Sequence, residues 1–210
     1  MGELKRRAVH LSGTGFPAVY LLGLVTWRQL QALLVAATVG VFVLEFLRLV
    51  VEIDYGPLDR VYDELTREYE ADNVAGYALF MVGATLAALL FAPPFGPELV
   101  PVEPPLAVPA ILMLSVGDPV SGYLGSNDAT TAKEAGVLAV MFVVCFALAA
   151  PFAVDHAGEV GGVAVAGAGA LGATVADGLK PVIRGHVVDD NLTIPPVSGA
   201  AMVAAFALVG

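Results

Sequence analysis

A chain of 210 residues that is 58% hydrophobic and only 14% charged, with a mean hydropathy of +0.81, carries more apolar side chain than a soluble domain of ordinary size can hide. Its formal charge of −10 argues against nucleic acid as a partner, because phosphate binding needs a basic surface. The single cysteine, Cys145, leaves no intramolecular disulfide or cysteine metal cluster. What remains is an integral membrane protein.

A hydrocarbon core about 30 Å thick takes roughly 20 residues of helix per crossing. The apolar runs are continuous rather than alternating, which favours helices over a barrel. Seven runs stand out, at 9–25, 28–50, 73–92, 104–124, 134–154, 160–179 and 194–210. The sequence therefore predicts an all-α, polytopic membrane protein of about seven transmembrane helices, forming a single domain over 1–210.

In chain order, MGELKRR opens like the basic region of a signal peptide, but no small-residue cleavage site follows, so it reads as an uncleaved first helix. With the N-terminus cytoplasmic, nine of the ten Lys and Arg fall on or near that side and only Arg28 lies outside. The longest polar stretch, 52–72, carries Leu58, Val61, Tyr62, Leu65 and Tyr69 at steps of three and four. That spacing predicts a cytoplasmic amphipathic helix at about 57–70, lying on the membrane surface or over a site. FAPPFGPELVPVEPP reads as a stiff outer spacer. The Gly/Ala-rich segment 160–179 permits close helix approach and belongs inside the bundle.

With that topology the polar residues of the apolar segments and their borders converge on the cytoplasmic half: His10, Glu45, Arg48, Asp118, Lys133, Glu134, Asp177, Lys180, Asp189, Asp190 and Asn191. Ionisable groups at membrane depth are costly unless paired or facing water, and by default mark a functional site. Glu45 and Arg48, one turn apart, suit either an intrahelical pair or a site. Asp118, between Gly117 and Pro119, sits where the helix backbone is expected to open toward a cation or ligand. Gly122 and Gly125 either leave room on that face or serve packing. Asp189, Asp190 and Asn191 form a hard-oxygen cluster suited to Mg²⁺, or a helix cap. Lys133 is either a phosphate contact or an interface anchor, and His10 a packing residue or a base.

Together, ELKRRAVH at 3–10, EFLR at 45–48, GDPVSGYLG at 117–125 and DDNLTIP at 189–195 resemble the CTP-dependent lipid-alcohol kinases (dolichol kinase, phytol kinase and the yeast-type diacylglycerol kinase), which are related to the CDP-lipid cytidylyltransferases. The resemblance spans nearly the whole chain. It implies CTP as phosphoryl donor, Mg²⁺ as cofactor, and a long-chain isoprenoid alcohol reaching the cytoplasmic face from the bilayer. It further implies that Arg6 and Arg7 contact nucleotide phosphate and that Asp118 holds Mg²⁺ or orients the hydroxyl. Gly117 and Gly125 would shape the phosphate loop, while Asp190 and Asn191 complete the metal or nucleotide site. The family's longer basic loop is represented by the shorter GSNDATTAKEAG at 125–136. Phosphoryl transfer chiefly needs alignment and charge absorption, and Asp118 or Asp177 is placed to take the alcohol's proton. A cytidylyltransferase releasing pyrophosphate is the first alternative, and a cation- or proton-coupled transporter the second.

Overall fold

The computed structural model describes residues 2–52, 55–66, 70–93, 106–125, 133–179, 182–183 and 186–209, with backbone alone for 2–4, 6, 182–183 and 186–187. The proline-rich spacer at 94–105 and most of the 125–136 loop lie outside the described residues, as does the side chain of Arg6.

Among the described residues the regular structure is helical apart from two two-residue strands, β1 (Val182–Ile183) and β2 (His186–Val187), paired antiparallel. The first apolar run, expected to be one crossing, divides into α1 (Gly2–Ser12) and α2 (Gly15–Leu21). Its break is at Gly13, which lies so close to Phe80 that a Cβ there would stand 2.2 Å from the ring. Helix α3 (Trp27–Phe46) starts on a reciprocal capping box: Gln29 N–H donates to Thr26 Oγ1, and Thr26 N–H to Gln29 Oε1. It runs on as a π-helical turn, Leu47–Val51.

Helix α4 (Gly56–Leu65) is the expected amphipathic helix, but it stops at Thr66 in an extended conformation rather than at residue 70. The Thr66 hydroxyl turns back onto the Tyr62 carbonyl at 2.6 Å. Residues 67–69 lie outside the described chain. Helix α5 (Gly76–Leu90) has 15 residues, a length of about 22 Å, short of a full crossing. Next come α6 (Ala107–Leu112), a π-helical turn (Met113–Gly117) and α7 (Asp118–Leu124) in one continuous rod.

Helix α8 (Ala135–Gly178) reverses direction at Gly158, whose φ of 69° and ψ of 177° suit glycine alone. A Cβ on Gly162 would come within 2.4 Å of Val154 Cα, and one on Gly178 within 2.9 Å of Leu138. Its 44 residues therefore make a tight antiparallel hairpin. The last helix, α9 (Asp190–Val209), packs along this hairpin and along α5.

Four described helical stretches are long and apolar enough to cross a membrane: Trp27–Val51, Ala107–Leu124, Ala135–Gly178 and Asp190–Val209. The expected seven crossings are not supported. The first run is split and α5 is short, whereas the two runs at 134–154 and 160–179 form the two arms of the α8 hairpin. The core gathers Leu30 and Leu34 of α3, Ile111, Met113 and Leu114, Met141 and Val165 of α8, and Ile194 and Met202 of α9. Segment 160–179 turns one face inward, with Ala166, Gly169, Ala170 and Ala173 buried. Its other face carries the exposed Val163, Leu171 and Val175.

The end of α3, the start of α5, both ends of α8 and the start of α9 meet at one end of the bundle, opposite the Gly158 turn. Glu45 accepts the Ala75 amide, Lys133 reaches Asp177, and Gly76 abuts Asn191.

Candidate functional site

Three carboxylates from different elements meet at this end. Asp118 opens α7, Asp177 closes α8 and Asp190 opens α9, and one oxygen from each lies within 4.8 Å of the others. The π-helical turn ahead of Asp118 absorbs the missing amide of Pro119 without breaking the rod. The opening expected from Gly117 and Pro119 is thus a local widening. Gly117 itself packs against the hairpin, where a Cβ would meet Cys145 Sγ at 2.9 Å and Met141 Cε at 3.0 Å. Gly125 ends α7, with its Cα side 3.2 Å from the Ser121 carbonyl for a built Cβ. Neither glycine lines the cavity described below, whereas Gly122 does.

Lys133 is the cation among these acids. Its Nζ lies 2.5 Å from Asp177 Oδ1, 2.9 Å from Ser121 Oγ and 3.9 Å from Asp118 Oδ1. The Ser121 hydroxyl donates to the other Asp177 oxygen over 2.6 Å. Asp177 is fully enclosed and is satisfied on both oxygens. His10 Nδ1 approaches Asp118 Oδ2 at 3.6 Å, and its ring meets Phe80 edge-on. The three carboxylates converge closely enough to hold a metal ion.

Asp118, Lys133, Asp190 and Asn191 line a cavity of about 370 Å³. Its remaining walls are mostly apolar: Val9, Phe16, Val41, Leu44, Phe80 and Met81. The underside of α4 roofs it with Leu58, Val61, Tyr62 and Leu65. Burial, and then the nearby Glu45 charge, raise the Tyr62 hydroxyl above its usual value. It therefore remains a donor, to the Leu44 carbonyl at 3.1 Å. Lys5 of α1 reaches Glu64 of α4 at 2.5 Å on the surface.

Arg7, expected at nucleotide phosphate, lines the cavity while donating to the Gly122 carbonyl at 2.9 Å and lying 5.6 Å over the Tyr123 ring. Asp189 caps α9: its Oδ1 accepts the Asn191 amide N–H at 2.9 Å and the Asn191 side-chain Nδ2 at 2.6 Å.

Glu45 and Arg48 form the expected pair one turn apart, and they also tie α3 to α5. Glu45, 2% exposed, accepts from Arg48, from the Ala75 N–H at 2.9 Å and from the Tyr77 hydroxyl. Arg48 spends its remaining donors on the carbonyls of Glu70, Ala71 and Asn73 at 2.6–3.1 Å. The pair does not line the cavity; it fixes the segment that does.

Sequence reasoning missed Ser121, Glu70, Gly76 and Tyr77. Ser121 lies within GDPVSGYLG, three residues after Asp118, so helical spacing was a usable signal. Glu70 sits in a strongly acidic stretch where nothing distinguishes it, yet it is 4% exposed and faces the cavity.

Set against known protein families, curated proteins and solved structures, the chain matches none of them.

Proposed function

We propose that this chain is a membrane-embedded, Mg²⁺-dependent phosphotransferase that moves the γ-phosphoryl group of CTP to the hydroxyl of a long-chain isoprenoid alcohol, of the dolichol, polyprenol or phytol kind. The observation that carries this reading is the cavity. It joins two carboxylates and an ammonium at one end to a hydrocarbon wall roofed by α4, a shape suited to an amphiphile whose head reacts and whose tail stays dry. Cytidine as base and isoprenoid as chain follow from the motif resemblance. Placing the site on the cytoplasmic side is part of the proposal and rests on the sequence-based topology, in which nine of the ten Lys and Arg fall on or near that side.

Asp118 and Asp190 would hold the cation, since both line the cavity while Asp177 is already engaged. Two carboxylates plus substrate phosphates are the usual protein contribution to Mg²⁺ binding. When bound, the ion offsets charge on the phosphates. Lys133, fixed by Asp177 and Ser121, sets a second positive charge beside them without reorganisation. The alcohol oxygen forms the new bond to the γ-phosphorus as the bond to the β-bridging oxygen breaks and CDP leaves; the hydroxyl proton passes to a cavity carboxylate. The apolar roof keeps out water that would otherwise take the phosphoryl group.

A transporter would require ionisable groups along a path between both faces; among the described residues the buried acids gather at one end. The test is incubation of purified protein with γ-labelled and, separately, α-labelled CTP, Mg²⁺ and a panel of polyprenols, dolichols, geranylgeraniol and diacylglycerol, together with the corresponding lipid monophosphates, alongside Asp118→Asn. Transfer of γ-label to lipid, lost in the variant, is the expected result. Transfer of α-label would instead establish a cytidylyltransferase, and no transfer of either would end the enzymatic reading.

A further inference from the structure

Ties between neighbouring elements close most of the cavity's circumference. Arg7 of α1 donates to the Gly122 carbonyl of α7, and Lys133 donates to Ser121 of the same helix. Gly83 of α5 lies so near α9 that a Cβ would stand 2.4 Å from the Asn191 carbonyl, and Thr38 of α3 donates to the Met81 carbonyl of α5 at 3.2 Å. The lining reaches the surface elsewhere. Among the described residues of the wall, the exposed ones are Val9 and Ser12 of α1 and Val61 of α4, with Val9 46% and Val61 43% exposed.

This mouth is apolar. The Ser12 hydroxyl turns back onto the Val9 carbonyl at 2.5 Å, which satisfies it within its own helix and leaves the rim without a free polar group from that residue. On α3 the cavity is bounded by the half-buried Val41 and Leu44, which neighbour Phe42 and Val43 on the exposed apolar face of that helix. An apolar rim beside an apolar surface suits hydrocarbon rather than water as the medium outside. Helix α4 spans the opening like a lintel, pinned to α1 by Lys5 and Glu64 at 2.5 Å and to α3 by the Tyr62 hydroxyl on the Leu44 carbonyl at 3.1 Å. Size adds a second constraint. At about 370 Å³ the cavity is near the lower limit of the roughly 300–1,000 Å³ that enclose drug-sized ligands, too little for a whole polyprenol or dolichol, so most of such a chain must lie outside.

We propose that the mouth framed by Val9, Ser12 and Val61 is a lateral portal, through which the alcohol enters head first from the bilayer while its chain stays in the lipid. This rests on the lipid-alcohol reading above and adds a rule of specificity to it. The protein recognises the hydroxyl and the first part of the chain, and does not measure total chain length.

The experiment is equilibrium binding of tritiated geranylgeraniol and of a tritiated dolichol to the full chain in phosphatidylcholine nanodiscs. Wild type is compared with Val9→Trp and Ser12→Trp, whose exposed positions let an indole fill the mouth without entering the packed core, and with Leu208→Trp at the exposed far end of α9. Mn²⁺ binding followed by electron paramagnetic resonance checks that the site is intact. The wild type is expected to bind both alcohols with similar affinity. Each rim variant should lose about tenfold for both, the scale of one apolar side chain's burial, while Leu208→Trp binds like the wild type and Mn²⁺ affinity holds in all three. Rim variants that bind both alcohols as the wild type does overturn the proposal. So does a wild type that takes geranylgeraniol and rejects dolichol, which would mean a closed pocket that measures the chain, or one that binds neither. Rim-sensitive binding without transfer of label from CTP would leave the portal standing and remove the kinase, whereas transfer at the wild-type rate in both rim variants would keep the kinase and remove the portal.

Discussion

The ammonium of Lys133 lies 2.5 Å from Asp177 Oδ1, although 44 positions separate the two in the chain. The aspartate is wholly enclosed and its second oxygen is taken by Ser121. Removing the cation alone strands a buried charge, which typically costs 3–5 kcal/mol. Lys133→Met is expected to lower thermal stability in detergent by about that amount, and Asp177→Asn in the same chain to restore part of it. A Lys133→Met protein that melts like the wild type would show that something other than this pair neutralises Asp177.

The opposite sign is expected at the other two acids. Asp118 and Asp190 contribute to a surplus of negative charge around one lysine, so Asp118→Asn or Asp190→Asn should leave the melting temperature unchanged or raised. Divalent-cation affinity should fall in either variant, read by Mn²⁺ binding, and under the proposed function chelation should abolish any phosphoryl transfer. Wild-type Mn²⁺ affinity in either variant would remove that residue from the cation site.

Arg48 is tied to three backbone carbonyls as well as to Glu45. Arg48→Met should therefore cost about 3–5 kcal/mol, as for any broken buried pair. Glu45→Gln should speed hydrogen exchange at the Ala75 amide, which donates to Glu45 over 2.9 Å. Unaltered exchange at Ala75 would mean that the α3–α5 tie is not what holds that segment.

At Gly158 no atom lies within 4 Å of where a Cβ would be, so a substitution there acts through the backbone alone. Its conformation is one essentially confined to glycine. Gly158→Ala should destabilise the hairpin by about 1–3 kcal/mol, seen as a lower melting temperature. A neutral Gly158→Ala would mean the turn relaxes to another path.

The sequence alone determined the helical class, the apolar character and the majority of the polar cluster. Each of these depends on residue type and local period: long apolar runs, an amphipathic step of three and four over Leu58 to Leu65, and carboxylates in hydrophobic surroundings. It misjudged the crossings because hydropathy counts residues between breaks and cannot see the Gly13 turn against Phe80 or how short α5 is, whereas the reversal at Gly158 falls in the break between the runs ending at 154 and starting at 160. Only tertiary structure decided how the polar residues divide their work. Asp177 and Ser121 fix Lys133, Glu45 and Arg48 hold the wall, and Gly76 abuts both Glu70 and Asn191, because each relationship links residues far apart in the chain whose meeting depends on how the helices pack.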